Sequence, residues 1–149
     1  MATEIDELEQ LTNKGLSALE QGHVVVALMH FESAAKLKTT PTVASCLGFC
    51  LAKEYQQYQM GISMCVAALK QEADNALHYL NLARVQDLAG HRQKAIATLR
   101  KGLRQRGHQP IIAELKRLGL RKSPIFPHLS RDNPLNKYGG KIFKRLGLR

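Results

Sequence analysis

The sequence predicts an all-α protein: a solenoid of three stacked helical hairpins, then a C-terminal capping helix and a basic, proline-containing tail. Three observations predict this fold. A residue triplet recurs with a step of 34 positions, a second helical segment precedes each triplet, and glycine or proline stands at the joints. The chain has 149 residues, of which 44% are hydrophobic, and this is enough apolar material for one compact core.

The recurring triplet consists of a small, a larger and a small residue, spaced by four and then three positions. Residues with this spacing share one face of a helix, so each triplet forms a shallow strip against which another helix can pack closely. We therefore expect one packed second helix in each of three units. The triplets are Ala27, Phe31 and Ala34; Gly61, Cys65 and Ala68; and Ala95, Leu99 and Gly102.

A segment with helical periodicity precedes each triplet, which makes two helices per unit. Gly22 and Gly90 follow these segments in the first and third units, where a helix ends and glycine tolerates the positive φ of a chain reversal. The second unit has Tyr55 and Gln56 in this region, so we expect its turn to be irregular. The middle of each first helix has a small residue: Gly15, Gly48 or Ala83.

These residues resemble the tetratricopeptide repeat (TPR) family, whose units are helix-turn-helix hairpins with small residues where the paired helices cross. Pro41 and Pro110 mark unit boundaries, as in that family. The resemblance covers about two-thirds of the chain and implies a right-handed solenoid, here of a small, bacterial-type protein with three repeats. The aromatic residue often found early in the first helix of a repeat is present only in the third unit, as Tyr79.

The domain boundaries follow from the repeat and from the prolines. A solenoid needs a cap on its last repeat, and the amphipathic segment after Pro110 is suited to this role. Further along, Pro124, Pro127 and Pro134 interrupt any long helix. We predict a TPR domain over 1–118, with repeats over 8–41, 42–75 and 76–109 and a capping helix over 110–118, and then a tail over 119–149 with one short helix over 134–146.

The basic residues are concentrated in the last third of the chain. The whole chain has a net charge of +10, but residues 101–149 contain 13 Lys/Arg against 2 Asp/Glu, a net charge of +11. Such a segment attracts nucleic acid or anionic membrane, so a binder of either is an alternative function. The basic residues assigned to this surface are Arg117, Arg121, Lys122, Arg131, Lys137, Lys141, Lys144 and Arg145.

A further interpretation of the tail is intramolecular. Apolar residues alternate with its prolines and basic residues, and they suit a tail that lies back on the repeats. The sequence does not choose between a tail that covers the repeats and one that binds a separate partner. The apolar residues concerned are Ile125, Phe126, Leu129 and Leu135.

The family resemblance implies that the first helices of successive units line a concave face, which binds an extended peptide or a partner helix. Phe49, Leu80 and Arg84 are the expected anchors, since aromatic and arginine residues often contribute most of the binding free energy. TPR co-chaperones that hold a C-terminal carboxylate have Asn and Lys where this chain has Leu16 and Thr12, so that subtype is not supported. A helical wheel places on this face Glu9, Thr12, Leu16, Glu20, Ser45, Phe49, Lys53, Leu77, Leu80, Arg84 and Leu88.

Catalytic and metal-binding patterns are missing from the sequence. It has no glycine-rich phosphate loop, no G-x-S-x-G and no H-E-x-x-H. Cys46, Cys50 and Cys65 have no neighbouring histidine, so we interpret them as core thiols. We expect a non-enzymatic adaptor or scaffold that binds a protein partner and needs no cofactor, metal or small-molecule substrate; a secretion-type chaperone is a further alternative.

The N-terminus and the cysteines indicate a compartment. The first residues lack the basic start and apolar run of a secretory signal, and no segment approaches the roughly 20 apolar residues of a membrane span. An odd number of cysteines fits a reducing environment. The sequence therefore predicts a soluble, cytoplasmic protein.

Overall fold

The computed structural model describes residues 2–105 and 109–119, which fold into seven α-helices without a β-strand. The helices follow one another as antiparallel pairs and a single last helix. They are α1 (Ala2–Glu20), α2 (Val24–Leu37), α3 (Pro41–Tyr55), α4 (Tyr58–Gln71), α5 (Ala76–Leu88), α6 (Arg92–Gln105) and α7 (Gln109–Gly119).

The turns inside the hairpins have the backbone conformations that the sequence predicts. Gly22 and Gly90 have φ angles of 78° and 85°, the left-handed region that glycine enters without a Cβ clash. The second hairpin reverses at Gln56 instead, whose φ is 58°. A non-glycine residue there makes this the irregular turn.

The helix starts between hairpins are stabilised by local capping. Thr40 accepts a hydrogen bond from the backbone N–H of Val43 at 3.2 Å, and Pro41 occupies the first helical position of α3, where no N–H is needed. At the start of α5, Asn75 Oδ1 accepts a hydrogen bond from the backbone N–H of Leu77 at 3.1 Å. Capping therefore separates the three hairpins.

The core lies where the predicted small residues bring paired helices together. All nine residues of the three triplets are buried, as are Gly15, Gly48 and Ala83 of the first helices. The Phe31 ring covers Gly15, and Gly48 and Gly61 meet backbone to backbone where α3 crosses α4. The residues that recur every 34 positions are thus the ones at which the paired helices cross.

The last helix, α7, packs on the third hairpin. Ile111 and Leu118 are fully buried in a cluster with Leu99 and Ala83, and Arg92 of α6 donates a hydrogen bond to the Leu118 carbonyl. The capping helix predicted over 110–118 is observed over Gln109–Gly119. Residues up to Leu118 form one compact unit. The predictions for the tail, including its helix over 134–146 and its contacts, lie outside the described residues.

A search for membrane-spanning segments gives a negative result for the described part of the chain. Across 2–105 and 109–119, no helix combines the length and the apolar character that crossing a bilayer requires.

Candidate functional site

Two cavities lie between the first helices of the hairpins and α7, and both include Arg84. Together they are called the groove. The leucine cavity, of about 450 Å³, is lined by Leu16, Leu19, Glu20, Leu77, Leu80, Asn81, Arg84 and Pro110. The phenylalanine cavity, of about 330 Å³, is lined by Phe49, Lys53, Arg84, Asp87, Leu88, Glu114 and Arg117.

Eight of the eleven residues that the helical wheel placed on the concave face line the groove, whereas Glu9, Thr12 and Ser45 line neither cavity. The leucine cavity includes Leu16, Glu20 and Leu80, the phenylalanine cavity includes Phe49, Lys53 and Leu88, and Arg84 belongs to both. Ser45 was expected on this face, but the structure buries it completely. It is turned toward α5, where it forms hydrogen bonds.

Helical spacing on α5 explains why its residues face the groove. Leu80, Arg84 and Leu88 are separated by four residues each, so they lie along one stripe of the helix. The Arg84 guanidinium lies over the Phe49 ring, 5.4 Å from its centroid, a cation–π contact between α5 and α3. Two of the three expected anchors therefore contact each other.

The phenylalanine cavity ends at an ion-pair network contributed by α7. Glu114 Oε2 lies 3.7 Å from Arg84 Nε, and Arg117 Nη2 lies 2.6 Å from Glu114 Oε1 and 2.7 Å from Asp87 Oδ2. The hydrogen bonds from Arg117 to Glu114 and Asp87 raise the pKa of its guanidinium. Arg117 was assigned to the basic tail surface, but the structure places it beside the groove in pairs with two carboxylates.

The charges of the groove are balanced but unevenly paired. Arg84 and Arg117 face Asp87 and Glu114. Lys53 is exposed and has no ion pair among the residues that the structure describes. The phenylalanine cavity therefore has an accessible cation next to an aromatic ring.

A buried chain of hydrogen bonds lies behind the leucine cavity and joins α3 to α5. His78 is fully buried; its Nε2 is 2.9 Å from Glu72 Oε2 and its Nδ1 is 2.8 Å from Ser45 Oγ. Asn81 Nδ2 donates to Ser45 Oγ at 3.3 Å and contacts Cys46 Sγ at 3.4 Å. Hydrogen bonds from Asn75 and then His78 hold the pKa of the Glu72 carboxyl below its usual range.

The three cysteines are free thiols in the core. Burial raises the pKa of Cys46 to about 11 and that of Cys50 to about 12, and it raises the pKa of Cys65 further still. Such thiols are protonated at neutral pH and weakly nucleophilic. Within 2–105 and 109–119, no group of His, Cys, Asp and Glu is placed to hold a metal ion.

The sequence matches no protein-family model and no curated protein. In three dimensions, the chain is similar to solved TPR domains. The Arabidopsis OM64 TPR domain is 19% identical, with a TM-score of 0.60 over 78% of this chain and 97% of that one. The second TPR domain of human RPAP3, solved with the HSP70 peptide SGPTIEEVD, is 12% identical, with a TM-score of 0.57 over 79% and 99%. The P58(IPK) TPR domain is 17% identical, with a TM-score of 0.59 over 78% of this chain and 34% of that one.

These similarities show that the chain has the TPR fold. The all-α solenoid of helical hairpins predicted from the 34-residue step is therefore confirmed.

Some groove residues were not selected from the sequence. Asn81 and Asp87 are each three positions from Arg84 on α5, so the helical wheel contained a signal for both. Pro110 and Glu114 reach the groove because α7 packs beside α5. That contact depends on tertiary packing, and local periodicity does not encode it.

Proposed function

We propose that this protein is a non-enzymatic interaction module that binds a peptide segment of a protein partner in the groove. One observation supports this most directly: residues chosen from the sequence as groove-facing line two cavities that meet at Arg84. The leucine cavity has apolar walls and a few convergent polar groups, a combination typical of binding sites.

The lining indicates the kind of segment that fits. The four leucines accept an apolar side chain, whereas Lys53 with the Arg84–Phe49 pair suits a carboxylate or a polar group beside it. The RPAP3 domain is similar in fold and was solved with an HSP70 peptide, which supports peptide binding by this architecture. We do not extend that ligand to this chain, because Leu16 and Thr12 replace the residues that grip a C-terminal carboxylate.

A selection from a phage-displayed library of random dodecapeptides on the full-length protein tests the proposal. Enriched peptides are measured by fluorescence polarisation against wild type and against the double variant Phe49→Ala/Arg84→Ala. We expect the double variant to bind at least ten-fold more weakly, because truncating a hot-spot residue typically removes about 2 kcal/mol of binding free energy.

The control is Lys36→Ala/Arg100→Ala, which removes two exposed charges from the second helices α2 and α6, away from the groove. This variant should bind like wild type. If no peptide is enriched over the bare support, or if both double variants bind equally well, groove binding is wrong.

The alternative function, attraction of nucleic acid or anionic membrane, is supported by the net charge of +11 over residues 101–149. Seven of the eight assigned basic residues lie beyond the described part of the chain, and Arg117 is engaged by carboxylates. A gel-shift assay at low and moderate salt, with wild type and a chain lacking 121–149, tests nucleic-acid binding. No shift at low salt, or the same shift without the tail, eliminates nucleic-acid binding by the tail.

A further inference from the structure

The leucine cavity includes a buried amide with an unused hydrogen-bond acceptor. Asn81 lines this cavity and is 0% exposed, and its Oδ1 has no hydrogen-bond partner in the described structure. A buried acceptor without a partner destabilises the folded state. Buried acceptors are satisfied by protein groups, by water or by a ligand, and this one belongs to a residue in the wall of a candidate binding site.

The hydrogen bonds that join Glu72, His78, Ser45 and Asn81 determine which atom of the Asn81 side-chain amide has no protein partner. Glu72 is an acceptor only, since its carboxyl is ionised, so the His78 Nε2 that faces it carries the proton. In the neutral ring, His78 Nδ1 is then an acceptor. The Ser45 hydroxyl lies 2.8 Å from this nitrogen and 3.3 Å from the Thr42 carbonyl oxygen, and it donates to the nearer of the two.

The same chain continues to Asn81. With its proton given to His78, the Ser45 oxygen has only lone pairs to offer, so it accepts a hydrogen bond from the amide nitrogen of Asn81. The contact of that nitrogen with Cys46 Sγ is on the same side. The chain from Glu72 thus holds Nδ2 against α3 and leaves Oδ1 as the end of the amide that has no hydrogen-bond partner.

The surroundings of Asn81 define the donor that it can accept. Arg84 and Glu20 line the same cavity with opposite charges, so the lining favours neither a cation nor an anion. Leu16, Leu77 and Leu80 form apolar walls of the cavity. A neutral N–H attached to an aliphatic group meets both conditions, and a peptide backbone next to an aliphatic side chain provides this combination.

We propose that Asn81 Oδ1 is a specificity-determining acceptor for one backbone N–H of an extended peptide, whose adjoining aliphatic side chain fills the leucine cavity. Ser45, His78 and Glu72 are positioning residues that set the orientation of this amide. The proposal rests on the proposed function, since it names the part of the ligand that the groove recognises.

A backbone N-methyl scan of an enriched dodecapeptide tests this assignment. Each amide is methylated in turn, and binding to the full-length protein is measured by fluorescence polarisation. We expect one methylation, next to an aliphatic residue, to weaken binding to wild type by roughly ten-fold, the size of one hydrogen bond to a buried acceptor. The Asn81→Leu variant should bind the unmodified peptide more weakly and should lose this sensitivity to methylation.

Measuring the methylated peptides against both wild type and Asn81→Leu distinguishes three effects: loss of a specific hydrogen bond, a steric clash of the methyl group, and misfolding of the variant. A methyl group that simply clashes would weaken binding to both proteins by the same factor, and that result would overturn the proposal. Uniform tolerance of methylation at every amide would also overturn it, while leaving peptide binding by the groove intact. Failure to enrich any peptide would remove the proposed function, and the assignment of Asn81 with it.

A measurement on the wild-type protein alone covers the case in which Asn81→Leu does not fold. Long-range ¹H–¹⁵N correlation spectra at neutral pH report which ring nitrogen of His78 is protonated. A proton on Nε2, together with a nuclear Overhauser contact between one peptide amide proton and the Asn81 side chain, supports the proposal. A proton on Nδ1 alone would remove the order of donors and acceptors from which the orientation of the Asn81 amide is derived, and that result would overturn the proposal.

Discussion

The crossing of α3 and α4 offers a quantitative test of how this fold is held together. A Cβ added at Gly61 would lie 2.6 Å from the carbonyl oxygen of Gly48, where ordinary contact begins at 3.4 Å. It would also lie 3.1 Å from Val85 Cγ1 and 3.2 Å from Ala52 Cβ. Because the nearest atom is backbone, no side-chain rotation relieves the overlap, and α3 and α4 must separate.

Two opposing effects determine how much the Gly61→Ala substitution changes the free energy of unfolding. Overpacking of this kind costs about 3 kcal/mol, the upper part of the usual range, because backbone has to move. Replacing glycine by alanine inside a helix recovers about 1 kcal/mol. The net expectation is a loss of about 2 kcal/mol in the free energy of unfolding, or roughly 5–10 °C in Tm.

Urea denaturation followed by the helical circular dichroism signal measures this loss. Gly48→Ala is a graded comparison, since its Cβ would lie 3.0 Å from Gly61 O and 3.0 Å from Met64 Cβ, and it should cost less. Gly119→Ala is the control, because no described residue lies within 4 Å of a Cβ there, and it should change stability by less than about 0.5 kcal/mol. A Gly61→Ala protein as stable as wild type would refute the close helix crossing.

Three further predictions concern titration and backbone strain. Burial raises the pKa of Cys46 from 9.0 to about 11, so its contribution to stability is complete below pH 9 and is lost as pH rises to about 11. The free energy of unfolding from urea titrations should fall by about 2–3 kcal/mol across this range for this group, and by less in Cys46→Ala. Hydrogen bonds from Asn75 and His78 lower the pKa of Glu72. The stability that this provides is present above the ordinary pKa of 4.5 and is lost as pH falls through the lowered pKa. In the same assay, the stability of a Glu72→Gln protein should therefore fall less steeply with acid. Gly22→Ala forces alanine to a φ of 78° with no clash nearby, so thermal unfolding should show a loss of about 1 kcal/mol that reflects backbone strain alone.

The fold was predictable because its determinants are local and repeat. The spacing of Ala27, Phe31 and Ala34 defines a helix face without reference to the rest of the chain, and its recurrence at a constant step fixes the pairing of helices. Gly22 and Gly90 were recognisable for the same reason, since the backbone conformation of a turn depends on the residue that occupies it.

The groove was predictable to a smaller extent, because burial depends on what packs opposite a residue. The helical wheel placed Ser45 on the groove face, and it cannot show that His78 and Asn81, 33 and 36 residues away, form hydrogen bonds with its hydroxyl. The polar chain itself lies between repeats, so it interrupts an otherwise apolar pattern without any local signature.

The capping helix changes the chemistry expected of the groove. The sequence placed the charge of α7 with the basic tail, yet Glu114 lies beside Arg84, and Arg117 bridges Glu114 and Asp87. A ligand carboxylate that approaches Arg84 must therefore compete with Glu114, whereas one that approaches Lys53 has no competitor among the described residues. For the proposed peptide ligand, we therefore expect this competition to reduce the affinity for a simple acidic segment, because a cation that is already paired gains little from a second anion. We expect selectivity to depend more on the leucine cavity, whose apolar walls and Asn81 amide form no ion pair with α7.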